Sequence, residues 1–147
     1  MGSGPEYEVL LQKRDQLKLG DCVEMPGRVS NEFLFTSLKT MDLGVACDPI
    51  NTYNDHCTMN KTLEYMAFSK PQVMFGTREG IYSAADSALY VMENSSIKLG
   101  DSILELLDDP ERRQTMGTIA LQRLTQELNW PRSVQHLLAA YQRASSE

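Results

Sequence analysis

Lys61 and Glu64 stand one helical turn apart in the run Thr58-Met59-Asn60-Lys61-Thr62-Leu63-Glu64-Tyr65-Met66-Ala67. That spacing places an ammonium and a carboxylate on one helix face. Thr58 or Asn60 starts the helix, which ends near Ser69 because Pro71 forbids its continuation. A helix N-terminus presents unpaired N–H groups and a partial positive charge of about half a unit. Lys61 adds a full cation in the first turn, which is mildly unfavourable alone and makes sense if an anion also sits there. The competing reading is an ordinary exposed Lys–Glu pair, worth about 0.3–0.5 kcal/mol. Just upstream, Asp55-His56-Cys57 offers three side chains that can bind metal. Three adjacent residues without a second cluster make poor coordination geometry, so no metal site is expected.

The surrounding elements must hold this helix where a ligand can reach it. Pro5 to Leu19 reads as a helix, with Tyr7, Leu10, Leu11 and Leu17 near helical spacing. Cys22-Val23-Glu24-Met25 reads as a short strand stopped by Pro26-Gly27. Asn31 can cap a helix running to about Thr40, with Leu34 and Leu38 inward. Leu43–Cys47 is a continuous apolar run, the pattern of a strand buried on both faces. After the polar loop Ile50–Cys57 and the Lys61 helix come a strand at Gln72–Phe75, a brief helix over about Gly80–Ala85 and a fourth strand at Ala88–Met92. Helices over about Ile97–Leu107, Glu111–Leu128 and Arg132–Ala144 close the chain, with Pro110 and Pro131 in first turns, where a missing N–H costs little. Met116, Ile119, Ala120, Leu124 and Leu128 make one apolar stripe; Val134, Leu137, Leu138 and Tyr141 make another.

Strands alternating with helices imply an α/β fold, a Rossmann-like parallel sheet with helices on both faces. Such sheets bind ligands beyond the carboxyl ends of their strands. The loops there are Pro26–Ser30, Asp48–Cys57 and Gly76–Glu79. A Gly-x-Gly turn before a helix normally follows a strand, and none precedes Gly2-Ser3-Gly4. These residues read either as an artificial extension or as the point where upstream strand and helix units have been removed.

The 147 residues, 41% hydrophobic, suit a single domain spanning 1–147. A net charge of -6 and the lack of a basic run argue against nucleic acid as a partner. Cys22, Cys47 and Cys57 form no CxxC pair, so a reducing cytoplasm is expected rather than a disulfide framework. No apolar run reaches the length of a membrane span and no signal pattern opens the chain. Membrane contact, if any, would be peripheral and made by a part of a longer protein.

Asn60-Lys61-x-x-Glu64-Tyr65-Met66-Ala67 followed by Lys70-Pro71-x-Val73 closely resembles the K-x-x-E-x-M-A helix of the retaining glycosyltransferases of family 4, which have the GT-B fold. Further matches follow in that family's order: Gly2-Ser3-Gly4-Pro5-Glu6, Val23-x-Met25-x-Gly27-Arg28-Val29, Leu43-x-Val45-Ala46, Glu79, Ala88-Leu89-Tyr90-Val91, Leu106-Leu107-Asp108-Asp109-Pro110-x-x-Arg113, then Trp130 and Tyr141. The resemblance spans nearly the whole chain. It implies the C-terminal, donor-binding half of such an enzyme, with its first strand and helix missing, along with the N-terminal acceptor-binding half.

The activity implied is transfer of a sugar from a UDP- or GDP-sugar to an acceptor hydroxyl with retention, needing no cofactor and no metal. Glu64 resembles the second glutamate of the E-x7-E motif and would accept hydrogen bonds from the ribose hydroxyls. Thr58, Met59 and Asn60 would offer N–H groups to the diphosphate beside Lys61. Gly27, Arg28 and Val29 would edge the base, although Arg28 reads equally as a surface arginine. His56 stands where the motif has its first glutamate; as the candidate catalytic residue it either donates to a sugar hydroxyl or phosphate, or is a plain loop histidine. The fragment is expected to keep a weak donor site and lack activity alone.

Two other classes compete. A receiver domain is also α/β and acidic, but its Lys-Pro follows a strand, whereas Lys70-Pro71 follows a helix, and the early acidic pair is absent. A non-catalytic interaction module would use the Val134–Tyr141 stripe, whose exposure would favour self-association.

Overall fold

Three short apolar runs become the sheet, and each pairs in parallel with its neighbour. Strands β1 (Gly44–Ala46), β2 (Gln72–Phe75) and β3 (Ala88–Val91) lie in the order β1-β2-β3. The computed structural model describes residues 1–145. Its contacts separate into two compact units, Met1–Thr40 and Met41–Glu147; the sheet belongs to the second.

The sheet register explains which side chains face which way. Val45, Val73 and Leu89 align, as do Phe75 and Val91, and these side chains share one face. Leu99, Ile103 and Leu106 of α5 (Ser96–Leu107) and Met116 of α6 (Pro110–Gln126) cover them. Ala46, Met74 and Tyr90 align on the opposite face, packed with Ala84 of α4 (Arg78–Ala84) and Ala88. Helix α3 (Asn60–Ala67) covers that second face too. The buried Gln72 donates to the Thr62 carbonyl at 3.2 Å, and a Cβ on Gly44 would overlap the Tyr65 ring. A parallel sheet clothed on both faces was the expected class, and it is the one found.

Helix α6 locks the layers together. Arg123 donates from Nε to the Ser83 carbonyl at 2.9 Å and from Nη2 to the Tyr82 carbonyl at 2.6 Å. It thereby satisfies carbonyls in the last turn of α4 that have no partner within the helix. The half-buried Tyr90 hydroxyl donates to the Ala85 carbonyl at 2.5 Å. Burial pushes this phenol well above its usual range; Asp86 pushes it further and Arg123 offsets part of the rise.

Pro110 and Pro131 fall in the first turns of α6 and α7 (Trp130–Ala144), capped by Asp109 and Asn129. The stripe of α6 is buried at Met116 and Ala120 and half-buried at Ile119, Leu124 and Leu128. That of α7 is not: Leu137, Leu138 and Tyr141 are 43%, 55% and 65% exposed.

The first unit holds α1 (Tyr7–Gln16) and α2 (Asn31–Thr40). Two expectations fail there. Cys22–Met25 is not a strand. The Cys22 and Val23 N–H groups both reach the Leu19 carbonyl, at 3.1 and 2.8 Å, which curls the chain into a turn. Met25 then accepts from the Tyr7 hydroxyl at 2.6 Å. The sheet therefore has three strands among the described residues, and Ala88–Val91 is the third. The cap of α2 also moves by one residue: Ser30 Oγ accepts from the Phe33 N–H at 3.2 Å, so Ser30 rather than Asn31 satisfies the first turn. No helix among the described residues is long and apolar enough to cross a membrane.

Candidate functional site

The helices α3, α4 and α5 follow β1, β2 and β3 in turn, so their N-termini gather at the carboxyl edge of the sheet. Side chains cap two of them. Thr77 accepts from the Gly80 N–H at the start of α4, and Ser95 accepts from Lys98 N–H at the start of α5. Helix α3 starts differently: Met59 takes the N-cap position and no side chain caps it. The Met59 carbonyl takes the Thr62 N–H at 3.0 Å, but its side chain offers the first turn no oxygen, so the partial positive charge there is not met by a side-chain cap.

Lys61 has found a partner, and it is not Glu64. Its Nζ bonds both carboxylate oxygens of Asp48, at 3.0 and 2.7 Å. Asp48 is two residues past the end of β1, so strand and helix converge to make the pair. The pair is partly buried, with the two side chains 41% and 26% exposed. Glu64 is exposed on the same helix, and its carboxylate makes no hydrogen bond or ion pair among the described residues. Partial burial pushes the Cys47 thiol up, with Lys61 pulling it down and Asp48 pushing it up more weakly. Burial also raises the Tyr65 phenol, with smaller contributions from Glu64, Cys47 and Asp48.

The loop after β1 is tied along this edge by a polar network. Asn54 is buried; its Nδ2 donates to the Pro49 carbonyl at 2.7 Å and its N–H reaches Asn51 Oδ1 at 2.8 Å. Asp55 Oδ1 accepts from the Arg78 N–H at 2.9 Å, at the first residue of α4. Thr58 Oγ1 donates to Glu79 Oε1 at 2.8 Å. Asn94 exchanges two bonds with Ile50, at 2.6 and 3.0 Å. Among the sequence candidates, His56, Thr58, Met59, Asn60, Lys61 and Glu64 thus lie together on one loop and the helix it feeds. Gly27, Arg28 and Val29 belong to the first unit. There the Gly27 carbonyl accepts from the Gly2 N–H at 2.7 Å, beside a depression of about 430 Å3 lined by Ser3, Tyr7, Glu24 and Met25.

Asp55, His56 and Cys57 do not converge. Asp55 is committed to α4, and no group of three or more His, Cys, Asp or Glu among the described residues could hold a metal ion. Sequence reading gave no role to Asp48, Asn54 or Asn94. Their only local signal is the density of Asn and Asp in the segment 48–55, residue types that bond nearby backbone.

Space along the edge is uneven. Between the starts of α3 and α4 a cavity lined by Asp48, Met59, Thr62 and Thr77 holds only about 10 Å3. A depression of about 490 Å3 opens past β3, lined by Met92, Glu93, Lys98 and Asp101. A ligand on α3 would therefore lie on the surface of this unit, with the N–H groups beneath it.

No family model matches this chain, and no curated protein matches it. A solved structure does. The sucrose-phosphate synthase of Thermosynechococcus elongatus matches with a TM-score of 0.79 and 19% identity, over 99% of this chain and 37% of that one. The chain therefore spans little more than a third of that protein's length, and the likeness at this identity is one of fold, a Rossmann-like α/β arrangement.

Proposed function

We propose that this chain binds the nucleoside-diphosphate end of an activated sugar and forms the donor domain of a retaining glycosyltransferase. One observation carries the reading. Glu64 is an exposed carboxylate without a partner, one turn from the only α-helix start at the sheet's carboxyl edge that no side chain caps, among the described residues. A diphosphate takes the N–H groups of Thr58, Met59 and Asn60, and a ribose takes Glu64. Negative charge that grows on the leaving phosphate is met by fixed N–H dipoles and the Lys61 ammonium, groups already oriented before reaction. The fold likeness to a sucrose-phosphate synthase supports the class.

Calorimetry of the chain with UDP and with GDP tests this. Saturable binding of one of them, weakened by salt, is expected; no binding of either would overturn it. Asp48 gives a sharper test, because it occupies the cation the diphosphate needs. Asp48→Asn is expected to tighten nucleotide binding about fivefold, since releasing a partly exposed ion pair returns about 1 kcal/mol to the ligand. Weaker binding by the variant would instead make Asp48 the group that aims Lys61.

A further inference from the structure

The turn between Tyr53 and Cys57 combines two properties that seldom occur together. It is pinned, and it holds out an aromatic ring. Tyr53 is 77% exposed, above every other large apolar side chain among the described residues. It opens a 3-10 turn at Asn54–His56, closed by the His56 N–H on the Tyr53 carbonyl at 3.1 Å. Three residues per turn put positions 53 and 56 on one side. His56 is exposed as Tyr53 is, while Asn54 points the other way and is buried.

The fixings come from three directions. Asn54 holds the turn to Pro49 and Asn51, Asp55 holds it to the first N–H of α4, and Asn94 holds Ile50 to the loop after β3. Single exposed aromatics need no explanation on a mobile surface. On a pinned turn at a ligand-binding edge, the conformational cost of presenting the ring is met before any ligand arrives.

We propose that the Tyr53 ring, with His56 beside it, is a stacking surface for a pyranose ring. The inference rests on the donor-domain reading for its ligand class. A pyranose has a face of C–H bonds and a rim of hydroxyls. Tyr53 offers a flat apolar face with a phenol at its tip. His56 offers an imidazole that donates and accepts hydrogen bonds at the rim. The sugar can be that of the donor or that of a saccharide acceptor; both present the same C–H face.

The test is NMR and calorimetry on the full chain with UDP, UDP-glucose, GDP, GDP-mannose and maltose. Ring resonances of Tyr53 that move with a sugar nucleotide, and not with the bare nucleotide, support the proposal with a donor sugar. Movement with maltose alone supports it with an acceptor sugar. Tyr53→Ala is expected to lower the affinity for the responding saccharide about tenfold, the scale of one good aromatic contact. It should leave UDP and GDP binding unchanged, and Tyr53→Phe should keep most of the affinity. A ring that responds to none of the five, or a Tyr53→Ala variant that binds saccharide as the parent does, overturns the proposal. The two readings fail separately. Nucleotide shifts confined to α3 would leave the donor domain standing without the stacking surface. A maltose response without nucleotide binding would do the reverse.

Discussion

Alanine at Gly117 is expected to destabilise the second unit by about 2–3 kcal/mol, the usual range for forcing extra volume into a filled contact. A Cβ there would sit 2.1 Å from the Ser69 carbonyl oxygen and 3.0 Å from its carbon. Those are backbone atoms, so no side chain can swing aside. Ser69 cannot yield either. It holds a left-handed φ of 55°, and the Lys70 N–H behind it bonds the Tyr65 carbonyl at 2.9 Å. This turn ends α3 and delivers the chain to β2. Helices α3 and α6 must therefore part, and Met116 and Ala120 loosen with them. The helix-forming advantage of alanine over glycine, about 1 kcal/mol, offsets only some of the loss. Urea unfolding with an unchanged m value checks this. Gly100→Ala in α5 is the matched control: nothing lies within 4 Å of its Cβ, so only the helix-forming gain should remain. A Gly117→Ala variant as stable as the parent would mean that α6 does not approach the turn so closely.

Glu64→Ala is expected to lower affinity for the nucleotide that binds by about 10–100-fold, the worth of charged hydrogen bonds at about 1.5–3 kcal/mol. The carboxylate is exposed and unpartnered among the described residues, so its loss should not disturb folding. An unchanged melting temperature would separate the two effects. Glu64→Gln keeps one acceptor oxygen and should recover part of the affinity. Identical dissociation constants for Glu64→Ala and the parent would remove Glu64 from the site, however well the rest of α3 binds phosphate.

The strands of the sheet were legible because burial on both faces leaves a continuous apolar run. Gln72–Phe75 is the clearest case, buried at every residue. The same logic misled at Cys22–Met25. Alternation of Val23 and Met25 serves a turn packed on Tyr7 as well as it serves a strand, and only a partner strand would decide between them. At the site, the position of the helix start was readable and its electrostatics were not. Spacing pairs Lys61 with Glu64, three positions on, whereas the fold pairs it with Asp48, thirteen positions back. That pairing exists only once β1 and α3 have docked. The bonds of Asp55 to Arg78 and of Asn94 to Ile50 span 23 and 44 positions, beyond any local pattern.

Strand β2 has a consequence for the unit's slowest motions. It is bonded to a neighbour on each side over Gln72–Met74 and all of its residues are buried. Its amide protons can meet water only when the unit opens as a whole. Deuterium uptake at Val73 and Met74 is thus a clock for global unfolding of Met41–Glu147. Uptake around the exposed Tyr53 turn is a clock for local fraying. The ratio of the two rates measures how far the carboxyl edge of the sheet can loosen while the interior stays shut.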